Sequence, residues 1–587
     1  MDNQNFSASY PNLTFWQQKY ERARSAYSSE RQAMDRRENL YLGDKGIRSP
    51  NGSLAPKDAT NVRNLAFELV ESQISSIIPQ PKVTAVSPQN QENARSIEDK
   101  LRNELDRIPF EVLNDQQERT TFIQGGSIML VEWDSSRKSH TSVGELSIRL
   151  IHPKQFIPQP GVDDVQEMDY FFIETALSKD AIRRRYGVEV QDGTSDSLKD
   201  SDGQELVTLV TCYYRSNSGI GRASWVGNQL LEDSDDYLAR RLERCSACGK
   251  PRISQTKVCQ CGSRSFRESV EEWETLGADI LRADGSVIPL YSGRGEQRRK
   301  TRIPYYKLNR FPVVVRKNVS VYGKFLGSSD VDALEDQQNS VKKLATKIEE
   351  KLLKGGSFVL LPRGKMVRRT DEELKVIELD GPDQKAMIDV VNVQPDVSRD
   401  MAMLEQNYLW AKSTLGISDS FQGKSDQTAI SGRAKEFSAN QTAGRLESKR
   451  IMKQAAYGEL FQIMFQMLLC CADEPRPVRS RDIHGSPEYR TFSKYDFLEQ
   501  DAAGEWFYND AYLFSTDTAG TLANNREAMW QETRVNYRDG AFGQPGSLQA
   551  LLMFWQVMEG LSYPLASQMK GQIEAQLNEQ NQLGREA

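Results

Sequence analysis

Four of the seven cysteines in this 587-residue chain are spaced as metal ligands. They form two pairs, Cys245-Ser-Ala-Cys248 and Cys259-Gln-Cys261, with ten residues between the pairs. Two close thiolate pairs joined by a short loop are typical of a tetrahedral zinc site, in which four sulfurs fill every coordination position. Such a site is structural, because no position stays open for a substrate. The sequence therefore predicts a structural Zn²⁺ ion bound by Cys245, Cys248, Cys259 and Cys261.

The residues around these pairs favour the same interpretation. Gly249 and Gly262 follow the pairs, and glycine accommodates the positive φ of a turn beneath a metal. The segment is rich in Lys, Arg and Ser and poor in apolar residues, so a metal ion would supply much of its folding free energy. The second pair has one intervening residue where two are usual. That departure leaves open the alternative of a loop with four exposed, reduced thiols.

The remaining cysteines and the histidines show no chemical pattern. Cys212, Cys470 and Cys471 are predicted to pack in cores as small apolar side chains. The N-terminus has no basic start and no apolar stretch, so neither a signal peptide nor disulfides are expected. The three histidines are scattered, which argues against a histidine-rich metal site: His140, His152 and His484.

Nucleotide-binding and hydrolytic motifs are missing from the sequence. Gly423-Lys424-Ser425 resembles the end of a phosphate-binding loop, but Ser418 occupies the position that requires glycine. The patterns H-E-x-x-H, G-x-S-x-G and G-x-G-x-x-G do not occur. The acidic pair Asp163-Asp164 lies in a polar stretch typical of a solvated loop. The sequence therefore predicts a protein that is not an enzyme.

Charge and hydropathy restrict the class of protein further. Lys and Arg number 76 and Asp and Glu 82, a net charge of −6, which argues against gripping nucleic acid over the whole surface. A role with DNA then requires local basic patches or a channel.

No apolar run reaches the roughly 18 residues that cross a membrane. The longest run, 460–471, is predicted to be the buried end of a helix.

The hydrophobic patterning of residues 1–320 predicts an α+β fold. Helices are expected at 13–41, 61–78 and 93–118, the last interrupted near Pro109. Short β-prone runs dominate from Gly125 to about residue 320, and mixed parallel and antiparallel pairing is expected there. They are expected to form strands at 127–133, 146–151, 170–176, 206–214, 225–231, 287–291 and 305–316.

A different pattern begins at residue 328. Residues 328–354 predict a long helix with one apolar stripe, capped by Ser328 or Ser329 and closed by Gly355-Gly356. A strand at 357–361 and a β-like excursion through 367–393 lead to a second helix at 397–415. On that helix one side is expected to hold Met401, Leu404, Tyr408 and Ala411. A polar stretch follows at 416–428, then a long helix from about 430 to 471, and 547–587 is again expected to be helical.

This order of elements resembles that of the portal proteins of tailed bacteriophages, over roughly residues 13–575. Four segments carry the resemblance: the helix with a Pro-flanked exit at 61–81, the stretch LIHPKQFIP at 150–158, the opening of the long helix at 327–339, and LGISDSFQGKSD at 415–426 followed by ISGRA at 430–434. The last of these is the most telling.

The resemblance implies a portal-type fold with a wing, stem helices, a clip and a helical crown. It assigns residues 1–326 to N-terminal helices and the α+β wing, in which 240–268 form a zinc-ribbon-like insertion outside the usual family core. The other implied regions are the first stem helix at 327–354, the clip at 355–395, the second stem helix at 396–415, the tunnel loop at 416–430, a long helix and wing return at 431–546, and the crown at 547–587.

The resemblance also implies an assembly and its partners. Family members form a homo-oligomeric ring, a dodecamer, at one capsid vertex of the virion, after assembly in the host cytoplasm. Double-stranded DNA passes through the ring during packaging and ejection. The implied protein partners are the major capsid protein, the terminase large subunit and head–tail adaptor proteins, and no membrane is involved.

Particular residues take roles from this resemblance. Terminase and adaptors would dock on the basic clip residues Arg363, Lys365, Arg368 and Arg369. Passing DNA would contact the tunnel-loop residues Gln422, Lys424, Ser425 and Gln427, without readout of base sequence. A neighbouring subunit or the channel would face the stem residues Lys342, Lys343 and Lys347, for which ordinary solvated lysines are the open alternative.

Two other functions fit parts of the sequence. A zinc-ribbon nucleic-acid-processing enzyme would explain the cysteines, but the missing catalytic motifs argue against it. Another virion scaffold or adaptor protein would suit the lack of enzyme motifs. The length and the helix–clip–helix pattern favour the portal.

Overall fold

A computed structural model describes residues 13–47, 57–190, 206–250, 252, 258–259, 261–292, 299–354, 356–360, 389–393, 395–419, 446–481, 487–517, 526–561, 563 and 565–586. Over these ranges the helices are α1 (Leu13–Ala26), α2 (Ser28–Tyr41), α3 (Leu65–Glu71), α4 (Gln91–Arg107), α5 (Phe110–Gln124), α6 (Lys179–Tyr186), α7 (Asp330–Lys354), α8 (Ser398–Leu415), α9 (Glu447–Cys471), α10 (Arg526–Arg538), α11 (Leu548–Gly560) and α12 (Ala566–Glu586).

The strands fall mainly between residues 126 and 317. In chain order they are β1 (Gln80–Ala85), β2 (Gly126–Lys138), β3 (Val143–Ile151), β4 (Phe156–Ile157), β5 (Tyr170–Ser178), β6 (Leu206–Arg215), β7 (Ile220–Val226), β8 (Gln229–Ser234), β9 (Arg240–Cys245), β10 (Phe266–Glu271), β11 (Trp273–Thr275), β12 (Ile280–Leu281), β13 (Val287–Ile288), β14 (Tyr291–Ser292), β15 (Arg299–Lys300), β16 (Arg302–Pro304), β17 (Val313–Lys317), β18 (Gly356–Leu360), β19 (Asp389–Val393), β20 (Arg476–Arg481), β21 (Pro487–Phe492), β22 (Leu498–Gln500), β23 (Trp506–Tyr508) and β24 (Tyr512–Asp517).

Two antiparallel sheets form the centre of the N-terminal half. One has the strand order β4-β5-β6-β7-β8 and the other the order β17-β2-β3. Phe172, Cys212 and Ala223 lie opposite one another on three neighbouring strands, and all three are fully buried. The strand pairs in the described ranges are antiparallel and the helices lie outside the sheets, which confirms the α+β class. The expectation of mixed pairing is wrong for these strands, because short hairpin connections join neighbours such as β6, β7 and β8.

Helix α9 ends in the largest apolar core. Leu460, Phe461 and Met464 have no exposed surface, and they pack in one cluster with side chains from β2, β17 and the 492–512 region. The prediction that residues 460–471 form a buried helix end is therefore confirmed. Cys212 and Cys470 are buried as predicted, and Cys471 is half-buried.

Helices α7 and α8 form an antiparallel pair that leads out of the body. Ser329 caps α7, since its Oγ accepts hydrogen bonds from the backbone N–H groups of Val331 (3.1 Å) and Asp332 (3.4 Å). Val331 and Val341 are fully buried, whereas Leu352 and Leu353 near the other end are 55% and 83% exposed. Burial thus fades along α7 towards β18, which pairs with β19 in antiparallel register from Gly356↔Val393 to Leu360↔Asp389.

Several boundaries differ from the sequence-based expectations. The helix predicted at 13–41 is two helices, because Tyr27 separates α1 from α2. The helix predicted at 61–78 is the short α3. The side chain of Asn64 caps its N-terminus by accepting a hydrogen bond from Phe67 N (3.0 Å). The strand predicted at 225–231 is a hairpin, since Gly227 adopts a φ of +53° in the turn between β7 and β8. On α8, Ala411 is fully buried whereas Met401, near the other end of the helix, is 55% exposed.

The C-terminal helices α10, α11 and α12 pack around a separate aromatic cluster. It contains Phe554, Met558 and Ala566. Trp530 and Tyr563 pack against these residues, and the centroids of the Trp530 and Tyr563 rings are 5.0 Å apart. The predicted helical character of 547–587 is confirmed for the residues described there. Across the described ranges, we find no helix both long enough and apolar enough to pass through a bilayer.

Candidate metal centre

The first cysteine pair lies at the tip of a two-stranded ribbon. Cys245 is the last residue of β9 and is paired with Phe266, the first residue of β10. The chain then folds into a tight turn, in which Gly249 N donates to Cys245 O (2.9 Å) and Cys245 N donates to Lys250 O (2.9 Å). This turn brings Cys248 back beside Cys245.

The second pair lies in a shorter turn facing the first. Gly262 N donates to Cys259 O (2.9 Å), and Cys259 N donates to Ser263 O (2.8 Å). The hydrogen bond of this turn joins residues three positions apart, whereas the bond between Gly249 and Cys245 joins residues four positions apart. The shorter turn explains the missing residue in the Cys-x-Cys pair, because the second sulfur reaches the centre one position earlier.

The four sulfur atoms converge on one point. The Cys245 and Cys261 sulfurs are 3.5 Å apart, as are those of Cys248 and Cys259, and all four lie within 4.8 Å of one another. Ligands at the Zn–S distance of about 2.3 Å in a tetrahedron are about 3.8 Å apart, whereas disulfide sulfurs are about 2.05 Å apart. The geometry fits a four-thiolate metal site and not a pair of disulfides, and it rules out four thiols dispersed along a loop.

The thiols of Cys245 and Cys261 have pKa values shifted in opposite directions. Backbone N–H groups of Cys248 and Ala247 point at the Cys245 sulfur and lower the pKa of that thiol to about 6. A backbone N–H of Ser263 acts on Cys261 in the same sense, but hydrogen bonds with the other cysteine sulfurs outweigh it and raise the pKa of Cys261 to about 12. A divalent cation at the centre of the four sulfurs would displace the thiol protons, because thiolates are the metal ligands.

Charged side chains brace the ribbon below the cysteines. Arg244 Nε pairs with Glu271 Oε1 across the strands (2.6 Å), and its Nη1 donates to Gly249 O (3.0 Å) in the first turn. Arg252 forms an ion pair with Glu243 and lies over the ring of Phe266 at 4.9 Å. Neighbouring positive charge favours a site whose four thiolates and Zn²⁺ sum to −2.

The turn glycines are required by backbone conformation. Gly249 has a φ of +69° and Gly262 a φ of +85°, and a Cβ at either position would meet nothing within 4 Å. The left-handed backbone alone therefore favours glycine there.

We expect Gly249→Ala to weaken zinc binding about 5- to 30-fold, because a left-handed non-glycine residue costs about 1–2 kcal/mol. Competition with a chromophoric zinc chelator measures this. The matched control is Gly277→Ala, where φ is not positive and space is open. Equal affinities for the two variants would contradict the prediction.

The predicted stem lysines lie in three different environments. Lys342 is fully buried, and its Nζ donates to Gly46 O (3.3 Å) beside Asp44 (3.9 Å). The expectation that Lys342 faces a channel, a neighbour or solvent is therefore wrong, because the segment after α2 covers this turn of α7. Lys343 is exposed, and Lys347 is exposed and pairs with Asp400 of α8 (3.0 Å).

The predicted clip and tunnel-loop residues lie outside the described residues: Arg363, Lys365, Arg368, Arg369, Gln422, Lys424, Ser425 and Gln427.

Sequence patterning did not identify a buried charge cluster that joins three elements. Glu118 of α5 is 1% exposed and accepts two hydrogen bonds from Arg316 of β17 (2.8 and 3.2 Å). Lys453 of α9 also pairs with Glu118 (2.6 Å) and donates to Ile77 O (2.7 Å). The available signal was a lone arginine directly after the apolar run at 311–315.

A second buried carboxylate ties the start of α7 to α9. Asp330 accepts hydrogen bonds from Asn318 (2.8 Å) and Gln73 (3.0 Å), and it pairs with Lys449 (2.6 Å). Burial of Asp330 is nearly complete, at 5% exposure. The first stem-like helix is thus fixed to the helix that enters the main core.

Comparison with known proteins leaves the family of this chain open. No family model matches the sequence, and no curated protein matches it.

Proposed function

We propose that this protein is a bacteriophage portal, a ring at one capsid vertex through which double-stranded DNA is packaged and ejected. One observation supports this most strongly: the antiparallel helices α7 and α8 are joined through the paired strands β18 and β19. A two-helix stem that continues into a β-stalk is the arrangement expected for stem and clip. In this proposal residues 1–326 are the wing, and α11 and α12 belong to the crown.

The outer side of α8 supports assembly into a ring. Ala411 and Asn407 are buried against α7 and its neighbours, whereas Leu409 and Trp410 are 53% and 46% exposed on the opposite side. Met403, seven positions before Trp410 and so on the same side of the helix, is 44% exposed. Side chains of this size on a helix surface favour burial against another helix. In a ring, the neighbouring copy of the chain supplies that helix.

The charges of the stem suit a conduit better than a DNA clamp. Lys347 and Lys351 both pair with Asp400, so one of their two positive charges is neutralised within the helix pair. The net charge of the whole chain is −6. DNA that must slide requires weak contacts with its phosphates, because strong ones would hold it in place.

We further propose that Cys245, Cys248, Cys259 and Cys261 hold a structural Zn²⁺ ion. The tetrahedral spacing of their sulfurs supports this assignment. The ion would fix the tip of the β9–β10 ribbon, which has only a small apolar core of its own. In the portal proposal this ribbon is an insertion in the wing.

Negative-stain electron microscopy of the purified full-length protein tests the portal. We expect closed rings with a central hole, and mass measurement by light scattering should give an integral multiple of the 66.6 kDa chain. Monodisperse monomers with ATPase activity would overturn the proposal and favour a nucleic-acid-processing enzyme.

Charge placed on the outer side of α8 is expected to abolish the ring. Leu409→Glu with Trp410→Glu puts two carboxylates where the neighbouring helix would pack, and burying an unpaired charge costs several kcal/mol. The matched control is Leu42→Glu with Val86→Glu, at exposed apolar positions outside α8 (78% and 65%). Light scattering should show small species for the first variant and intact rings for the control. Intact rings in both would show that α8 is not the interface.

Basic residues of the clip are expected to serve docking and not assembly. Arg368→Ala with Arg369→Ala should impair DNA packaging and leave the rings intact, because charge at a docking edge steers the motor onto the portal. A packaging assay with microscopy of the same preparation measures both. Loss of the rings would show that these residues are structural.

A further inference from the structure

The metal-binding segment carries charge opposite to that of the chain as a whole. Residues 244–267 contain six basic residues and no Asp or Glu, although the whole chain has a net charge of −6. A bound Zn²⁺ with four thiolates adds −2, which leaves the segment strongly positive. The six are Arg244, Lys250, Arg252, Lys257, Arg264 and Arg267.

Only some of these charges are neutralised within the ribbon. Arg244 pairs with Glu271 and Arg252 with Glu243. Lys250, Arg264 and Arg267 are exposed, and none of the three has an ion-pair partner among the residues that the structure describes. Lys257 lies outside those residues.

The turns around the cysteines gather the unpaired cations at one end. Cys245 N donates to Lys250 O (2.9 Å), and Ser246 N donates to Ser265 O (3.0 Å), so both flanks of the metal centre meet there. The Ser246 and Ser265 hydroxyls lie 3.1 Å apart and are exposed. Cations with adjacent hydroxyl donors on a braced scaffold form a surface suited to phosphate oxygens.

A second exposed basic run lies on two strand pairs later in the chain. Arg299 and Lys300 of β15 lead directly into β16, which pairs with β11, the strand that follows β10. Arg302 of β16 is also exposed and lies over the ring of Trp273 at 5.5 Å. These strand pairs are separate from the β9–β10 ribbon, so this run is additional positive charge outside the proposed surface.

We propose that the metal end of this ribbon, around Lys250, Arg264 and Arg267, binds the phosphate backbone of nucleic acid without reading its sequence. An acidic protein is the less suitable partner, because protein interfaces centre on a large apolar or aromatic anchor. In the described part of 245–267 the exposed large apolar side chain is Val258, while Phe266 lies beneath Arg252. Arginine also presents a planar fork that matches phosphate. The inference does not rest on the ring.

Covalently closed DNA minicircles test this surface, because a closed circle cannot thread the channel of a ring. Binding to the full-length protein should be followed by gel shift from about 50 to 200 mM salt. We expect Lys250→Gln with Arg264→Gln and Arg267→Gln to weaken binding about tenfold or more. The slope of log affinity against log salt should also fall by about two to three.

Matched variants decide between this surface and general electrostatics. Lys45→Gln with Lys82→Gln and Arg479→Gln removes the same charge at exposed positions elsewhere, and its affinity should stay within about twofold of wild type. Arg264→Lys with Arg267→Lys keeps the charge and should keep the salt slope. Equal loss in the two Gln triples would overturn the proposal. So would tighter binding of poly-glutamate than of DNA. Rings that fail to bind minicircles would overturn this inference alone and leave the portal standing.

Discussion

Replacing Cys248 and Cys261 by serine is expected to remove the metal from the protein. Wild-type protein should contain one zinc ion per chain, and the double variant close to none, since each serine withdraws a thiolate from the centre. Loss of a direct ligand should weaken binding by more than the roughly 10- to 100-fold that outer-shell changes cause. Elemental analysis by mass spectrometry of protein purified without a tag measures the content.

The effect on the fold should be confined to the ribbon. The β9 and β10 strands pair with each other, so without metal we expect trypsin to cleave rapidly at the basic residues of 244–267 while the remainder resists. The control is Cys471→Ser, a half-buried cysteine outside the cluster, which should retain one zinc ion. A wild-type zinc content near zero would contradict the prediction.

Glu118→Gln is expected to destabilise the protein by about 3–5 kcal/mol, because it leaves two buried cations without their carboxylate. Arg316 and Lys453 are 3% and 7% exposed and come from different elements, so neither can reach water without moving β17 or α9. Urea unfolding at neutral pH, followed by fluorescence, measures the loss.

The same carboxylate gives the stability a pH dependence of known sign. Burial alone would raise the pKa of Glu118, but the charges of Arg316 and Lys453 outweigh it and hold that pKa below its ordinary value. A depressed carboxyl pKa stabilises the fold above the unfolded value of about 4.3, and the stabilisation is lost as the pH falls through the folded value. The urea midpoints of wild type and Glu118→Gln should therefore converge in acid.

Two further variants separate the cluster from a general loss of charge. Glu505→Gln changes an exposed glutamate and should lie within about 0.5 kcal/mol of wild type. Glu118→Gln combined with Arg316→Gln should cost less than the two single changes together, because the residues share one interaction. Identical unfolding of Glu118→Gln and Glu505→Gln would show that the ion pairs contribute nothing.

The sequence by itself determined the features that depend on residues close together in the chain. The spacing of Cys245, Cys248, Cys259 and Cys261 predicted the cluster of four sulfurs, since short turns bring each pair together whatever the rest of the fold does. The apolar stripe and serine cap predicted α7 to within two residues at its start, because helix ends are set by local hydrogen bonds. The buried end of α9 likewise followed from local patterning, whereas the antiparallel pairing of the strands did not.

Only the tertiary structure decided which charged side chains are buried and which of them pair across long distances in the sequence. Lys342 belongs to a polar stripe of α7, but residues 44–46 cover it, and nothing in the local pattern shows which segment will pack there. Glu118, Arg316 and Lys453 meet across separations of 137 to 335 positions, so their pairing depends on how α5, β17 and α9 pack. The exposure of one side of α8 also depends on tertiary packing. The helical period defines the two sides of the helix, but it does not show which side the rest of the chain covers.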